Sequence, residues 1–227
     1  TRVRSSAASD VYKRQPLYNA GVTVTPIHGL RLRATYRQGM YTPTARAMGL
    51  GLTQRGWNVD MNFTPRDSRL SLNYGLARIR DGNLTRGGRG EYSRRVWEGP
   101  FDLWAGYRWE GFSYARPSFG AGYFAPRRFH ANTGVIRAQG DRGRWNFDWE
   151  LGVGEESYRA QVGAPTGLVT PQPDHRSPRV LFIARNSFRV TSSLSLNASY
   201  LAFRTTLGSG TGSYRAQGFL FGLTRRF

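Results

Sequence analysis

The stretch Trp145-Asn146-Phe147-Asp148-Trp149-Glu150-Leu151-Gly152-Val153 alternates a bulky apolar residue with a polar or small one at every step. Successive side chains of a strand point to opposite faces, so Trp145, Phe147, Trp149, Leu151 and Val153 share one face. Asn146, Asp148, Glu150 and Gly152 take the other. Such a run reads as a strand with one apolar and one hydrated side.

The same period recurs on both sides of it. A first strand is expected over about Leu17 to Thr25. In a second, Leu30, Leu32, Ala34 and Tyr36 oppose Arg31, Arg33, Thr35 and Arg37. A third, about Ala47 to Phe63, sets Trp57, Val59, Met61 and Phe63 against Asn58, Asp60 and Asn62. A fourth, about Arg69 to Arg80, sets Leu70, Leu72, Tyr74 and Leu76 against Ser71, Asn73 and Gly75. A fifth, about Gly88 to Trp97, has no decisive apolar face. The sixth opposes Phe101, Leu103, Ala105, Tyr107 and Trp109 to Asp102, Gly106 and Arg108, with Trp104 phased inward. A seventh near Phe129 to Gln139 is ambiguous in phase. Strands over about Arg179 to Val190, Leu194 to Phe203 and Tyr214 to Phe227 complete a set of eleven.

The connections fall into two alternating classes. Pro26 to Gly29, Pro65 to Ser68, Glu98 to Pro100, Gly140 to Gly143 and Thr191 to Ser193 are short. Met40 to Arg46, Asp81 to Gly87, Ala115 to Arg128, Arg159 to Pro178 and Arg204 to Ser213 are long. Short periplasmic turns and long extracellular loops characterise bacterial outer-membrane barrels. A soluble β-sandwich would show Greek-key crossovers instead. The expectation is therefore an all-β, antiparallel, up-and-down transmembrane β-barrel in the bacterial outer membrane. An odd strand number implies at least one further strand upstream, because single-chain bacterial barrels have even numbers.

Composition fits. Hydrophobic residues make up 39% of the 227 positions and the mean hydropathy is −0.53. No stretch approaches the roughly 20 apolar residues of a spanning helix. Cysteine is absent, which excludes a disulfide scaffold and a thiolate metal site; no cofactor or metal is expected. The formal charge of +19 comes almost wholly from arginine spread along the chain, with Lys13 the single lysine. No zinc-finger spacing, helix-turn-helix pattern or RNA-binding strand motif accompanies it, so nucleic acid is not the expected partner. Lipopolysaccharide phosphates outside the barrel, and acidic solutes or polymers inside, are.

The last strand places Phe219, Phe221, Leu223, Arg225 and Phe227 on one face and ends on an aromatic, as closing strands of outer-membrane barrels do. Phe219, Phe221, Leu223 and Phe227 are read as the signal recognised by the barrel-assembly machinery, with Arg225 departing from the apolar residue usual there. At the other end, Ser5 to Gln15 resemble a translated sequencing-adapter read-through. Residues 1–15 are read as non-native and residues 16–227 as the C-terminal part of the barrel.

Asp81-Gly82-Asn83, Tyr123-Phe124-Ala125-Pro126-Arg127-Arg128-Phe129, Trp145-Asn146-Phe147-Asp148-Trp149 and Ser213-Tyr214-Arg215-Ala216-Gln217-Gly218-Phe219 together resemble the C-terminal barrel of tetratricopeptide-repeat exopolysaccharide exporters. That group includes the cellulose synthase outer-membrane subunit and the poly-N-acetylglucosamine porin. The resemblance covers most of residues 47–227. It implies a barrel of about sixteen strands, a periplasmic repeat domain upstream, and a polysaccharide as cargo.

Arg31, Arg33, Arg37, Asn58, Asp60, Asn62, Asp102, Trp104, Arg108, Asp148 and Glu150 are the expected pore-lining residues. One reading of them is the ordinary polar filling of a barrel, with opposed charges paired across the lumen. The sharper one makes Arg31, Arg33 and Arg37 a track for an anionic or hydroxyl-rich polymer, since the guanidinium fork suits carboxylates and sugar hydroxyls. A general or anion-selective porin is the alternative. A barrel hydrolase would need a histidine beside an acid or a serine near the outer rim. His28, His130 and His175 read instead as ordinary polar residues, so no catalytic residue is expected. Trp57, Trp109, Trp145 and Trp149 read as girdle residues. Glu155 and Glu156 make a weak candidate for a divalent cation.

Overall fold

The structure, a computed structural model, describes residues 18–40, 52–116, 126–159, 161–163, 169–171, 175–205 and 214–225. In chain order the strands are β1 (Tyr18–Ile27), β2 (Leu30–Met40), β3 (Thr53–Phe63), β4 (Ser68–Ile79), β5 (Leu84–Glu98), β6 (Asp102–Tyr114) and β7 (Arg128–Arg142). They continue with β8 (Trp145–Arg159), β9 (Gln161–Gly163), β10 (Val169–Pro171), β11 (His175–Arg189), β12 (Leu194–Thr205) and β13 (Tyr214–Arg225). No helix among the described residues is long and apolar enough to cross a membrane.

Eleven strands form one antiparallel, up-and-down sheet in the order β1-β2-β3-β4-β5-β6-β7-β8-β11-β12-β13. The remaining two, β9 and β10, pair with each other in the connection from β8 to β11, a hairpin that the sequence pattern does not announce. Among the described residues β1 and β13 each pair on one side only, which gives the sheet two edges.

The sheet is curved. The Nη1 of Arg69 on β4 donates to Oε1 of Gln139 on β7 at 3.2 Å, and Nη1 of Arg179 on β11 reaches Glu110 on β6 at 2.8 Å. Each bond crosses three strand spacings, about 14 Å in a flat sheet. Both lie on the face that buries Trp104, Arg108, Thr133, Glu150 and Glu156. That face is concave, and the opposite one carries exposed Trp57, Tyr74, Ile136, Val153, Phe219 and Phe221. Curvature crowds backbones on the inner side. A Cβ on Gly154 would lie 1.8 Å from the Asn132 carbonyl oxygen, and one on Gly56 2.2 Å from that of Leu76. Only glycine fits either place.

One end of the sheet, here the turn rim, closes tightly. His28–Gly29 links β1 to β2, with Gly29 at φ 80°, and Gly143–Arg144 links β7 to β8, with Gly143 at φ 61°. These are the left-handed positions that two-residue hairpins require. The expected short connections here stretch too far: Pro26 and Ile27 belong to β1, and Gly140 to Arg142 to β7. The other end, the loop rim, holds the longer connections with one exception. Asp81 to Gly87, expected as a long loop, is a tight turn over 80–83. Gly87, Gly88 and Gly90 lie inside β5. There they give the neighbouring strands room: a Cβ on Gly88 would be 2.8 Å from the Asn73 carbonyl oxygen. β5 and β7, ambiguous in sequence, are 15 residues each. Of strand three as expected, Thr53–Phe63 is strand, and 47–51 lie outside the described residues.

Candidate functional site

The concave face gathers every expected lining residue. Register sets Arg31 opposite Asn62, Arg33 opposite Asp60, and Arg37 opposite Gly56. Trp104 stands opposite Arg137 and Asp102 opposite Gln139. Arg108 faces Glu91, Glu150 faces Arg137, and Asp148 faces Arg185. All of these side chains share the inner face, but they work in three different ways.

From β5 to β11 the inner arginines midway along the strands are neutralised. Arg108 Nε lies 2.8 Å from Glu91 Oε2 and its Nη2 2.7 Å from Glu150 Oε1. Arg137 pairs with Glu150 and reaches Glu91 at 3.6 Å. Arg185 meets Asp148 at 3.1 Å. Arg108 and Glu150 are almost wholly buried, at 5% and 4% side-chain exposure, a setting where each charge depends on its partners. The ladder spans five consecutive strands and ties them by side chains as well as backbone. Toward the loop rim, Phe112 stacks on Phe129 at 4.6 Å and Tyr158 on His175 at 4.9 Å. Phe129 and Ala131 are fully buried there.

At the turn rim, Trp104 is the centre. The Arg69 guanidinium lies 3.8 Å above its ring and that of Arg95 5.9 Å away. Arg95 in turn pairs with Asp67, with Glu98 at 3.1 Å and with Asp102 at 3.7 Å.

On β2 and β3 the chemistry differs. Asp60 accepts from Asn58 Nδ2 at 2.9 Å and from Asn73 Nδ2 at 2.6 Å, so its carboxylate is held by amides. Arg31, Arg33 and Arg37 are exposed, and none makes an ion pair among the described residues. Arg33, Thr35, Arg37, Asn58, Asp60 and Asn73 line a concavity of about 530 Å³.

Glu91, Arg137, Arg185, Arg69 and Arg95 were absent from the sequence-based set. Three of them sit on β5 or β7, whose phase was ambiguous; a shift in the β5–β6 register between Arg95 and Trp97 breaks the alternation of β5. Continuing the period backwards from Arg95 through Ser93, Glu91 and Arg89 would have found Glu91.

The candidates for chemistry separate. Glu155 and Glu156 lie on opposite faces of β8, Glu155 exposed and Glu156 buried, so they cannot hold one cation together. His175 opens β11 rather than lying in a Pro-rich loop, and its ring stacks on Tyr158. His130 faces outward beside Trp109 and accepts from Arg128. No group of three or more potential metal ligands occurs among the described residues.

On the convex face, Trp57, Trp109, Trp145 and Trp149 are all exposed, between 38% and 59%. Trp149 Nε1 donates to Asn186 Oδ1 at 3.2 Å and Tyr107 Oη to Asn132 Oδ1 at 2.6 Å. Phe219, Phe221 and Leu223 stand out from β13, each at least 65% exposed; Phe227 lies outside the described residues.

No protein-family model and no curated protein matches the chain. Among solved structures it is similar to one described as a bacterial polysaccharide outer membrane secretin, with a TM-score of 0.72 at 12% identity. That match covers 92% of this chain and 69% of the other. At such low identity the likeness is one of fold: an all-β, up-and-down antiparallel sheet of the membrane-barrel type.

Proposed function

We propose that this chain is part of an outer-membrane β-barrel that exports a polysaccharide, without chemistry of its own. The observation that carries the reading is the division of the concave face. From Glu91 on β5 to Arg185 on β11 the inner charges midway along the strands are matched, while on β2 the guanidiniums of Arg31, Arg33 and Arg37 face a wall of Asn58, Asp60, Asn62 and Asn73. Free guanidiniums and amides replace water around carboxylates and hydroxyls of a moving chain. Because they point along one strand, neighbouring sugars meet equivalent donors and no position becomes a trap. The energy comes from synthesis behind the pore. The fold likeness to a polysaccharide secretin supports this cargo class. Further strands would close the sheet between β1 and β13, since open edges are untenable in hydrocarbon. A periplasmic repeat domain upstream would deliver the polymer, and Phe219, Phe221, Leu223 and Phe227 would be read by the assembly machinery.

An anion-selective porin is the second reading, favoured by the same unpaired arginines, which raise the local anion concentration. Planar-bilayer recording of the complete protein separates the two. Export predicts ion current that an anionic oligosaccharide blocks from the turn-rim side, with block weakened in Arg31→Gln/Arg33→Gln/Arg37→Gln. Anion-selective current without oligosaccharide block supports the porin. Secure insertion with no current removes both.

A further inference from the structure

On the convex face, arginine is concentrated toward the loop rim. Arg55 on β3, Arg78 on β4 and Arg86 on β5 lie near the loop-rim ends of their outward rows. Arg128, Arg159 and Arg176 do the same on β7, β8 and β11. Outward positions at the turn rim are instead apolar on most strands: Phe63, Leu70, Leu103, Trp145, Phe188 and Leu194. Carboxylates are scarce on this face: Glu155, toward the loop rim, is the sole acidic residue on the outward rows of the described strands. Arg94 and Arg142 also take outward positions at the turn rim, so arginine is more numerous at the loop rim rather than confined to it.

The arginines also stand together. Arg55 is directly opposite Arg78 and Arg128 directly opposite Arg159. Like charges in directly opposed positions destabilise a sheet, so an anion seated between Arg55 and Arg78 would relieve their repulsion. At the first of these pairs the surface is shaped for one. Gln38, Arg55, Arg78 and Arg80 line a notch of about 340 Å³ with no carboxylate in its wall. The neighbouring Asp81 accepts the Asn83 backbone N–H at 2.9 Å. Arg55, Arg78 and Arg80 are exposed and make no ion pair among the described residues.

The notch sits at a defined height. Arg55 and Phe63 are eight residues apart on β3, about 27 Å along the strand and about 20 Å along the membrane normal at the usual strand tilt. The outward apolar band of a membrane barrel is about 25 Å tall. With Phe63 at one border, the Arg55 backbone lies a few ångströms inside the other, a distance its long side chain spans, so the guanidiniums reach headgroup level.

We propose that Arg55, Arg78 and Arg80, with Gln38, bind a phosphate of the phosphorylated glycolipid that forms the outer leaflet. The inference rests on the outer-membrane reading above. Guanidinium forks take phosphate oxygens bidentately, and the Gln38 amide supplies a further donor.

The complete protein, purified in a mild detergent, is titrated with bisphosphorylated lipid A, with the same lipid dephosphorylated, with phosphatidylglycerol and with inorganic phosphate. Bound lipid is counted by native mass spectrometry. The expected result is tight binding of bisphosphorylated lipid A alone. Arg55→Gln/Arg78→Gln/Arg80→Gln should weaken it by about fivefold for each arginine removed, with Arg→Lys replacements intermediate. Equal binding of the dephosphorylated lipid, or of phosphatidylglycerol, overturns the proposal, as does an unchanged triple variant. Heat-modifiable migration on gels checks folding; should the triple variant fail it, Arg55→Gln and Arg78→Gln singly carry the same readout. Bilayer conductance of the same samples separates the two readings. Normal current without phosphate-dependent binding sinks only this inference, and absence of insertion sinks the membrane reading.

Discussion

Asn83 and Arg116 hold each other by two hydrogen bonds: the Asn83 Nδ2 donates to the Arg116 carbonyl at 2.9 Å, and the Arg116 N–H donates to Asn83 Oδ1 at 2.9 Å. The same Oδ1 accepts from the Leu84 N–H at 3.0 Å. A single amide, 3% exposed, thus fastens the β4–β5 turn to the end of β6. Asn83→Ala leaves three backbone groups without partners and should cost about 2–3 kcal/mol. Urea unfolding in micelles followed by tryptophan fluorescence measures it; a loss under half a kilocalorie would show that water replaces the amide.

The buried ladder offers a sharper test. Glu150→Gln removes the charge that Arg108 and Arg137 share, leaving the buried Arg108 beside Glu91 alone while Arg137 keeps Glu91 and Asp148, and should destabilise by about 3–5 kcal/mol. Adding Arg108→Met should recover part of that loss. Strict additivity in the double-mutant cycle would mean that the pair does not couple.

Backbone crowding makes a paired prediction with glycine. Gly154→Ala sets a Cβ against the Asn132 carbonyl, whereas Gly134→Ala, on the outer side of β7, meets nothing nearer than 3.6 Å. The first should abolish heat-modifiable folding or shift it strongly; the second should leave migration unchanged. Equal tolerance would mean that the curvature relaxes easily.

Trp104→Ala removes the platform under Arg69 and opens the lumen at the turn rim. Stability should fall by about 1–2 kcal/mol from the lost cation–π contact in addition to packing, and single-channel conductance should rise. Trp104→Phe should retain most of both properties. Unchanged conductance in the alanine variant would place the narrowest section elsewhere.

How far the chain disclosed its architecture depends on where alternation survives. β8 could be read directly, because bulky apolar residues alternate with polar or small ones from Trp145 to Gly154. β5 could not: glycines fill both faces of its first half and the register slips beyond Arg95. A local pattern also cannot show that Arg69 reaches Gln139 from 70 positions away, since only curvature brings those strands within a side chain's reach. For the same reason the inner charges were recognisable as a class, yet their division into matched and unmatched sets was hidden. Asp60 stands directly opposite Arg33 but is engaged by two asparagines, and only side-chain geometry reveals that. Similarly, Asp81-Gly82-Asn83 was noticed as a motif, and the structure supplies its reason: Gly82 at φ 86° makes the turn and Asn83 fastens it.

The contrast between the ion-paired wall and the open arginines of β2 also bears on ionic strength. Added salt shortens the reach of exposed charges to a few ångströms at molar concentration but hardly penetrates an enclosed pair. Raising salt should therefore loosen the hold of Arg31, Arg33 and Arg37 on an acidic passenger while the Arg108–Glu150 wall stays rigid. The tube would keep its bore and lose its grip, which a salt titration of oligosaccharide block against single-channel conductance can read on one membrane.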